Sequence, residues 1–155
     1  MHRTMTLSVV LLACTPDTPV PAAGTWTFSG GEVLSSTCPS TPTRGQGSRE
    51  YVLTPVDDTS FKLSWPDDEE LHTLFACTTE GADFECPSAF LVGAGFLETD
   101  LGIAGTFHSD TSATGTFTWT YICAEPPEGV APELECSDAI GDTCQVVQAM
   151  EAGLE

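Results

Sequence analysis

The chain has 155 residues, seven cysteines and a formal net charge of −19, with four Lys or Arg set against 23 Asp or Glu. Its length allows one domain with a substantial core. The excess of acid excludes a nucleic-acid or anionic-lipid binder, because such a surface repels both, and it favours solubility or a cationic partner; from residue 63 onward there is no Lys or Arg at all.

His2 and Arg3 form a short basic start, with no acid before Asp17. The apolar run from Met5 to Ala13 is much shorter than the roughly 20 residues a helix needs to cross a bilayer core. A basic start followed by a short apolar stretch reads as a secretion signal. The run ends in Leu11-Leu12-Ala13-Cys14, which resembles the lipobox of bacterial lipoproteins. The resemblance implies that residues 1–13 are a signal peptide and that Cys14 is acylated, by palmitate or a similar chain, as the first mature residue. It further implies a lipid-anchored protein of the bacterial cell envelope, on the outer membrane facing the periplasm or the cell surface. Taken with its cysteines, the chain is similar to small cysteine-rich envelope lipoproteins. Between Thr15 and Ala23 stand three prolines, Pro16, Pro19 and Pro21, which favour an extended spacer. Residues 14–23 then read as a lipidated cysteine and a tether, reaching about 28 Å at ~3.1 Å per residue.

Strand signals dominate residues 24–123. Gly24-Thr25-Trp26-Thr27-Phe28 and Gly115-Thr116-Phe117-Thr118-Trp119-Thr120-Tyr121 alternate aromatic with threonine, and Gly105-Thr106-Phe107 echoes them. A period of two gives each strand one buried face and one wet face, as in antiparallel sheets. Trp26, Phe28, Phe117, Trp119 and Tyr121 are therefore expected to point inward, as core or ligand-facing aromatics. Further strands are expected at residues 51–53, 61–65, 71–78, 83–90, 96–107 and 114–123, separated by turn-rich stretches. The architecture implied is all-β: an antiparallel β-sandwich or an up-and-down β-barrel. Gly24-x-Trp26 is similar to the opening motif of lipocalins, which carry small apolar ligands in a barrel; the late Arg that packs on this Trp in that family has no counterpart here.

After Cys123 the pattern changes. Residues 124–155 read as a disulfide-stapled extension, in which Asp142 caps a short helix, Gln145 completes a capping box, and Val146, Val147 and Met150 share an apolar face before Gly153.

If Cys14 carries lipid, six cysteines remain, an even set that reads as disulfides in an exported protein. A two-residue turn at Gly81-Ala82 makes Cys77 face Cys86, and a non-hydrogen-bonded pair there brings the Cα atoms to ~4.5 Å, inside the window for a disulfide. The same turn sets Glu80 against Asp83, an unfavourable like-charge pair. For the other four cysteines, Cys38 with Cys123 and Cys136 with Cys144 is the expected pairing.

No catalytic constellation stands out. His72 and His108 are isolated, no GxSxG motif is present, and no CxxC pair suggests zinc. Asp67-Asp68-Glu69-Glu70 is the densest run of carboxylates, a candidate for Ca²⁺ that reads more simply as a solvated turn after Pro66. The reading that follows is a lipid-anchored, non-enzymatic structural or binding module without cofactor, or alternatively a lipocalin-like carrier of a small apolar ligand.

Overall fold

The structure is a computed structural model that describes residues 18–39, 47–68, 70, 72–94, 97–123 and 143–155. Eight strands follow in chain order: β1 (Gly24–Ser36), β2 (Ser48–Asp57), β3 (Ser60–Ser64), β4 (Phe75–Glu80), β5 (Asp83–Ala94), β6 (Leu97–Ser109), β7 (Ser112–Cys123) and β8 (Thr143–Leu154). Each pairs antiparallel with the next, and β8 returns to β1, so the sheet closes on itself. Closure gives each of the eight described strands a hydrogen-bonded neighbour on both sides.

The alternation of residue types becomes an alternation of burial. On β7, Ala113, Phe117, Trp119 and Tyr121 are buried, while Thr114 is exposed and Thr116, Thr118 and Thr120 are half-buried. Trp26 and Phe28 on β1 are buried between the half-buried Thr25 and Thr27. Successive side chains of a strand point to opposite faces, so the aromatic face of each strand lies inside the ring. Phe84 and Phe107 stack with centroids 4.6 Å apart, Phe61 lies within 5.8 Å of both, and Trp26 meets Phe107 edge-on at 5.8 Å. Gly105 and Gly115 face each other across β6 and β7. A Cβ on Gly115 would stand 2.0 Å from the Ala104 carbonyl oxygen, and one on Gly105 would stand 2.9 Å from the Phe84 ring. These glycines let β6 and β7 approach closely and leave room for Phe84.

The chain differs from its sequence-based reading at the C-terminus. In place of the expected helix, residues 143–154 form β8, which completes the ring, so the sheet does not end at residue 123; residues 124–142, with the expected cap Asp142, lie outside the described residues. The segment Cys144-Gln145-Val146-Val147-Gln148-Ala149-Met150 fits either period. Cys144, Val146, Gln148, Met150 and Ala152 are buried on one strand face, and Val147, assigned to the helix's apolar face, is half-buried on the other. The unpaired edges of β1 and β7 decide the matter, since β8 hydrogen-bonds to both along its length and a helix would leave those backbone groups unsatisfied. Gln148 is the polar exception inside: it is 2% exposed, and its Nε2 donates to the Gly31 carbonyl at 2.9 Å, where β1 bulges away from β8 between Gly30 and Val33. The strand expected from residue 71 begins at Phe75, and His72 precedes it.

Cys77 and Cys86 are bonded across the β4–β5 hairpin, with Cα atoms 4.1 Å apart. The register is Glu80 with Asp83, Thr79 with Phe84 and Thr78 with Glu85, and Gly81 takes the positive φ of 64° that the turn requires. The like-charge pair is eased because Thr106 Oγ1 donates to Asp83. The other expected pairing is overturned: Cys38 bonds Cys144, Cα to Cα 4.9 Å. The cause is again β8. Its pairing with β1 sets Ser36 opposite Val146, and Thr37 N–H donates to the Gln145 carbonyl at 2.9 Å, which brings residue 38 beside residue 144. Cys123 is also disulfide-bonded, to a partner outside the described residues.

Candidate functional site

The two ends of the ring differ. One end carries the tight turns at Asp58-Thr59, Gly81-Ala82 and Asp110-Thr111. The other receives the longer connections, residues 37–47, 65–74 and 124–142, and the short one at 95–96.

The chain enters at the hairpin end. Of the expected tether, Thr18–Ala22 lies against the domain. Ala22 N–H donates to the Asp110 carbonyl at 2.8 Å, and Trp26 Nε1 donates to the Ala22 carbonyl at 2.9 Å. Pro21 is buried, and Thr18–Pro21 share a cleft with Pro55, Asp57, Phe61 and Gly81. The spacer is therefore not free over residues 18–22. Residues 14–17, and with them the lipidation candidate Cys14, lie outside the described residues.

Polar groups gather inside the opposite end. Tyr51 and Leu53 on β2 are buried, and Arg49, two residues before Tyr51, shares their inner face. The Arg49 guanidinium sits 5.1 Å from the centre of the Trp119 ring, a cation–π distance. No carboxylate pairs with Arg49 among the described residues. Tyr51 is packed by Phe28 at 5.4 Å, Phe75 at 5.9 Å and Trp65 at 5.2 Å. Tyr51 Oη and Trp119 Nε1 are buried and have no hydrogen-bond partner among the described residues. Burial pushes the Tyr51 phenol up to about 12, against the opposing pull of the Arg49 charge. The cation thus acts on the same hydroxyl that lacks a partner.

This phenol sets an alkaline limit. Its unfolded value is near 10, so the unfolded chain gives up the proton first. The associated stability is complete below pH ~10 and is lost as pH rises through the folded value of about 12. We expect the unfolding free energy of the wild type, from denaturant titrations, to fall across this window by about 2 kcal/mol more than that of Tyr51→Phe. Near neutrality the variant should be no less stable, because it removes an unsatisfied hydroxyl. Equal alkaline losses in the two proteins would contradict this assignment.

The described residues of the acidic run bond chiefly to one another and to His72. The Asp68 carboxylate accepts from Glu70 N–H at 3.1 Å and His72 N–H at 3.0 Å, and both its oxygens lie near His72 Nδ1. His72 Nε2 lies 3.0 Å from Glu70. Desolvation raises the Asp68 carboxyl, but the hydrogen bonds from His72 and from the backbone outweigh it and hold the group below its usual value. These pairs are exposed and contribute little to stability. Asp67 lies with Trp65, Pro66 and Glu50 along an open surface groove, and Glu69 lies outside the described residues. Among the described residues no three metal-binding side chains converge. His108, on the outer face of β6, bonds Thr114 through Nε2 at 2.7 Å. Asp57 is held low by the Thr59 backbone N–H first, then by the hydroxyls of Ser60 and Thr59, and belongs to a turn.

The expected aromatics Trp26, Phe28, Phe117, Trp119 and Tyr121 all lie in one core, with Phe61, Phe75, Phe84 and Phe107 added to it. Sequence reading missed Arg49. Its signal was available: it has the same parity as Tyr51 and Leu53, so a strand extended two residues back carries it inward. No family model, curated protein or solved structure matches this chain.

Proposed function

We propose that this protein is an exported lipoprotein of the bacterial cell envelope, anchored by lipid on Cys14, whose closed sheet is an up-and-down β-barrel acting as a non-enzymatic binding module. The observation that carries this reading is the docking of Thr18–Ala22 on the hairpin end. With lipid on Cys14, only residues 14–17 separate the anchor from the domain, a reach of at most about 14 Å. The hairpin end would face the membrane and the long-loop end would be presented outward. The disulfides are consistent with an oxidising compartment.

Disulfide bookkeeping supplies the test. With Cys38–Cys144 and Cys77–Cys86 formed and Cys123 bonded, a lipidated Cys14 requires Cys123 to pair with Cys136. Non-reducing peptide mapping is expected to find that bridge and an acylated Cys14. Cys14→Ser should move the protein from the membrane fraction to the soluble fraction, or leave it unprocessed, since stable anchoring needs acyl chains at ~0.8 kcal/mol per buried CH₂. A bridge between Cys14 and Cys123, or Cys14→Ser protein that stays with membranes after a high-salt wash, would overturn the lipoprotein reading.

A second reading, a carrier that takes a small ligand into the barrel, is favoured by the two unpartnered donors, Tyr51 Oη and Trp119 Nε1, inside the long-loop end. The hairpin half is filled by Trp26, Phe61, Phe84 and Phe107, which confines such a site to the other half.

A further inference from the structure

We propose that the long-loop end of the sheet receives a small organic monocarboxylate with an apolar body, its carboxylate held by the Arg49 guanidinium with the Tyr51 hydroxyl and the Trp119 indole N–H as further donors. This rests on the carrier reading and names its ligand class.

The first argument is scarcity. The chain has four Lys or Arg among 23 acids, yet Arg49 has no carboxylate partner among the described residues. Its neighbour Glu50 lies on the opposite face of β2 and is exposed. An inward, half-buried cation with no counter-charge among the described residues suits an anion from outside. The second argument is the donors. Tyr51 is 0% and Trp119 is 3% exposed, and the polar atom of each lacks a partner among the described residues. Buried donors in folded proteins are nearly always satisfied, and here two orphaned ones share an inner face with one guanidinium: the Trp119 ring lies beneath it, and Tyr51 stands two residues along β2.

Together these groups offer donors and a single positive charge, which matches an acceptor bearing two oxygens and one negative charge. The planar guanidinium fork fits a carboxylate in bidentate fashion. A doubly charged phosphate would leave an excess negative charge beside an already acidic domain. The surroundings define the remainder of the ligand: Phe28, Phe75 and Phe117 line the same inner face as Tyr51 and Trp119, so the body is apolar or aromatic.

The test is calorimetric titration of the full, oxidised protein with benzoate and decanoate, set against benzyl alcohol and decanol. A carboxylate is expected to bind saturably, about tenfold or more tightly than the alcohol of the same body. Arg49→Gln should remove that preference, so that acid and alcohol bind alike, and Arg49→Lys, which keeps charge but loses the fork, should restore part of it. Tryptophan emission should respond to the carboxylate in the wild type and not in Arg49→Gln. If acid and alcohol bind equally, or Arg49→Gln retains the preference, the carboxylate inference fails and the carrier reading survives. If neither binds, both fail, and the unpartnered donors are served by buried water alone.

Discussion

Removing the Cys38–Cys144 bridge with paired alanines is expected to lower stability by about 4.7 kcal/mol, against about 2.7 kcal/mol for the Cys77–Cys86 bridge. The difference follows from chain length, because the first closes a loop spanning 106 residues and the second one spanning 9. A cross-link stabilises chiefly by restricting the unfolded chain, and the restriction grows with the logarithm of loop length. The long bridge joins the segment after β1 to the start of β8, the two strands that close the ring. Its loss removes a tether from the pairing with the greatest closure entropy. Urea unfolding of the two double variants under oxidising conditions measures both values. A larger loss for the 77–86 variant would show that local geometry, rather than chain entropy, governs these bonds.

Trp26→Ala is expected to cost about 3–5 kcal/mol, the range for deleting a large buried aromatic. Trp26 is 0% exposed, lies edge-on to Phe107 and touches Phe28 at 6.5 Å. Its second effect is specific to this fold. The indole N–H holds the Ala22 carbonyl, so its loss removes one of the contacts that seat Thr18–Ala22 at the hairpin end. Trp26→Phe separates the two effects: it keeps most of the apolar volume but not the donor, and should cost about 1–2 kcal/mol. Limited proteolysis should cut both variants within residues 18–22 faster than the wild type. Wild-type protection in Trp26→Phe would mean that Pro21 burial, not the hydrogen bond, seats the segment.

Much of the strand pattern was legible because threonine and aromatic residues alternate with period two in β1 and β7, and that period survives in any environment with one wet face. The Cys77–Cys86 bridge was legible because it depends on a turn and nine residues of chain, a distance over which register can be counted. The acidic loop was legible as a turn for the same reason: Asp68 bonds groups no more than four residues away. What could not be read was whatever depended on a partner far away in sequence. Residues 143–154 fit helix and strand equally by local preference, and only the open edges of β1 and β7 made them a strand. The Cys38–Cys144 bond followed from that pairing, and so could not be found by matching the start of the sheet to its apparent end at Cys123. Arg49 was overlooked because the ring it sits over, Trp119, lies seventy residues away in sequence.

The sequence by itself determined the class of secondary structure, the inward aromatic face and the hairpin disulfide, since these rest on side-chain alternation and short loops. The tertiary structure alone decided the closing of the ring by β8, the bridge that secures it, the seating of the N-terminal segment and the placing of Arg49 over Trp119. Each of these satisfies, or leaves open, hydrogen bonds and charges between residues that only the closed sheet brings together.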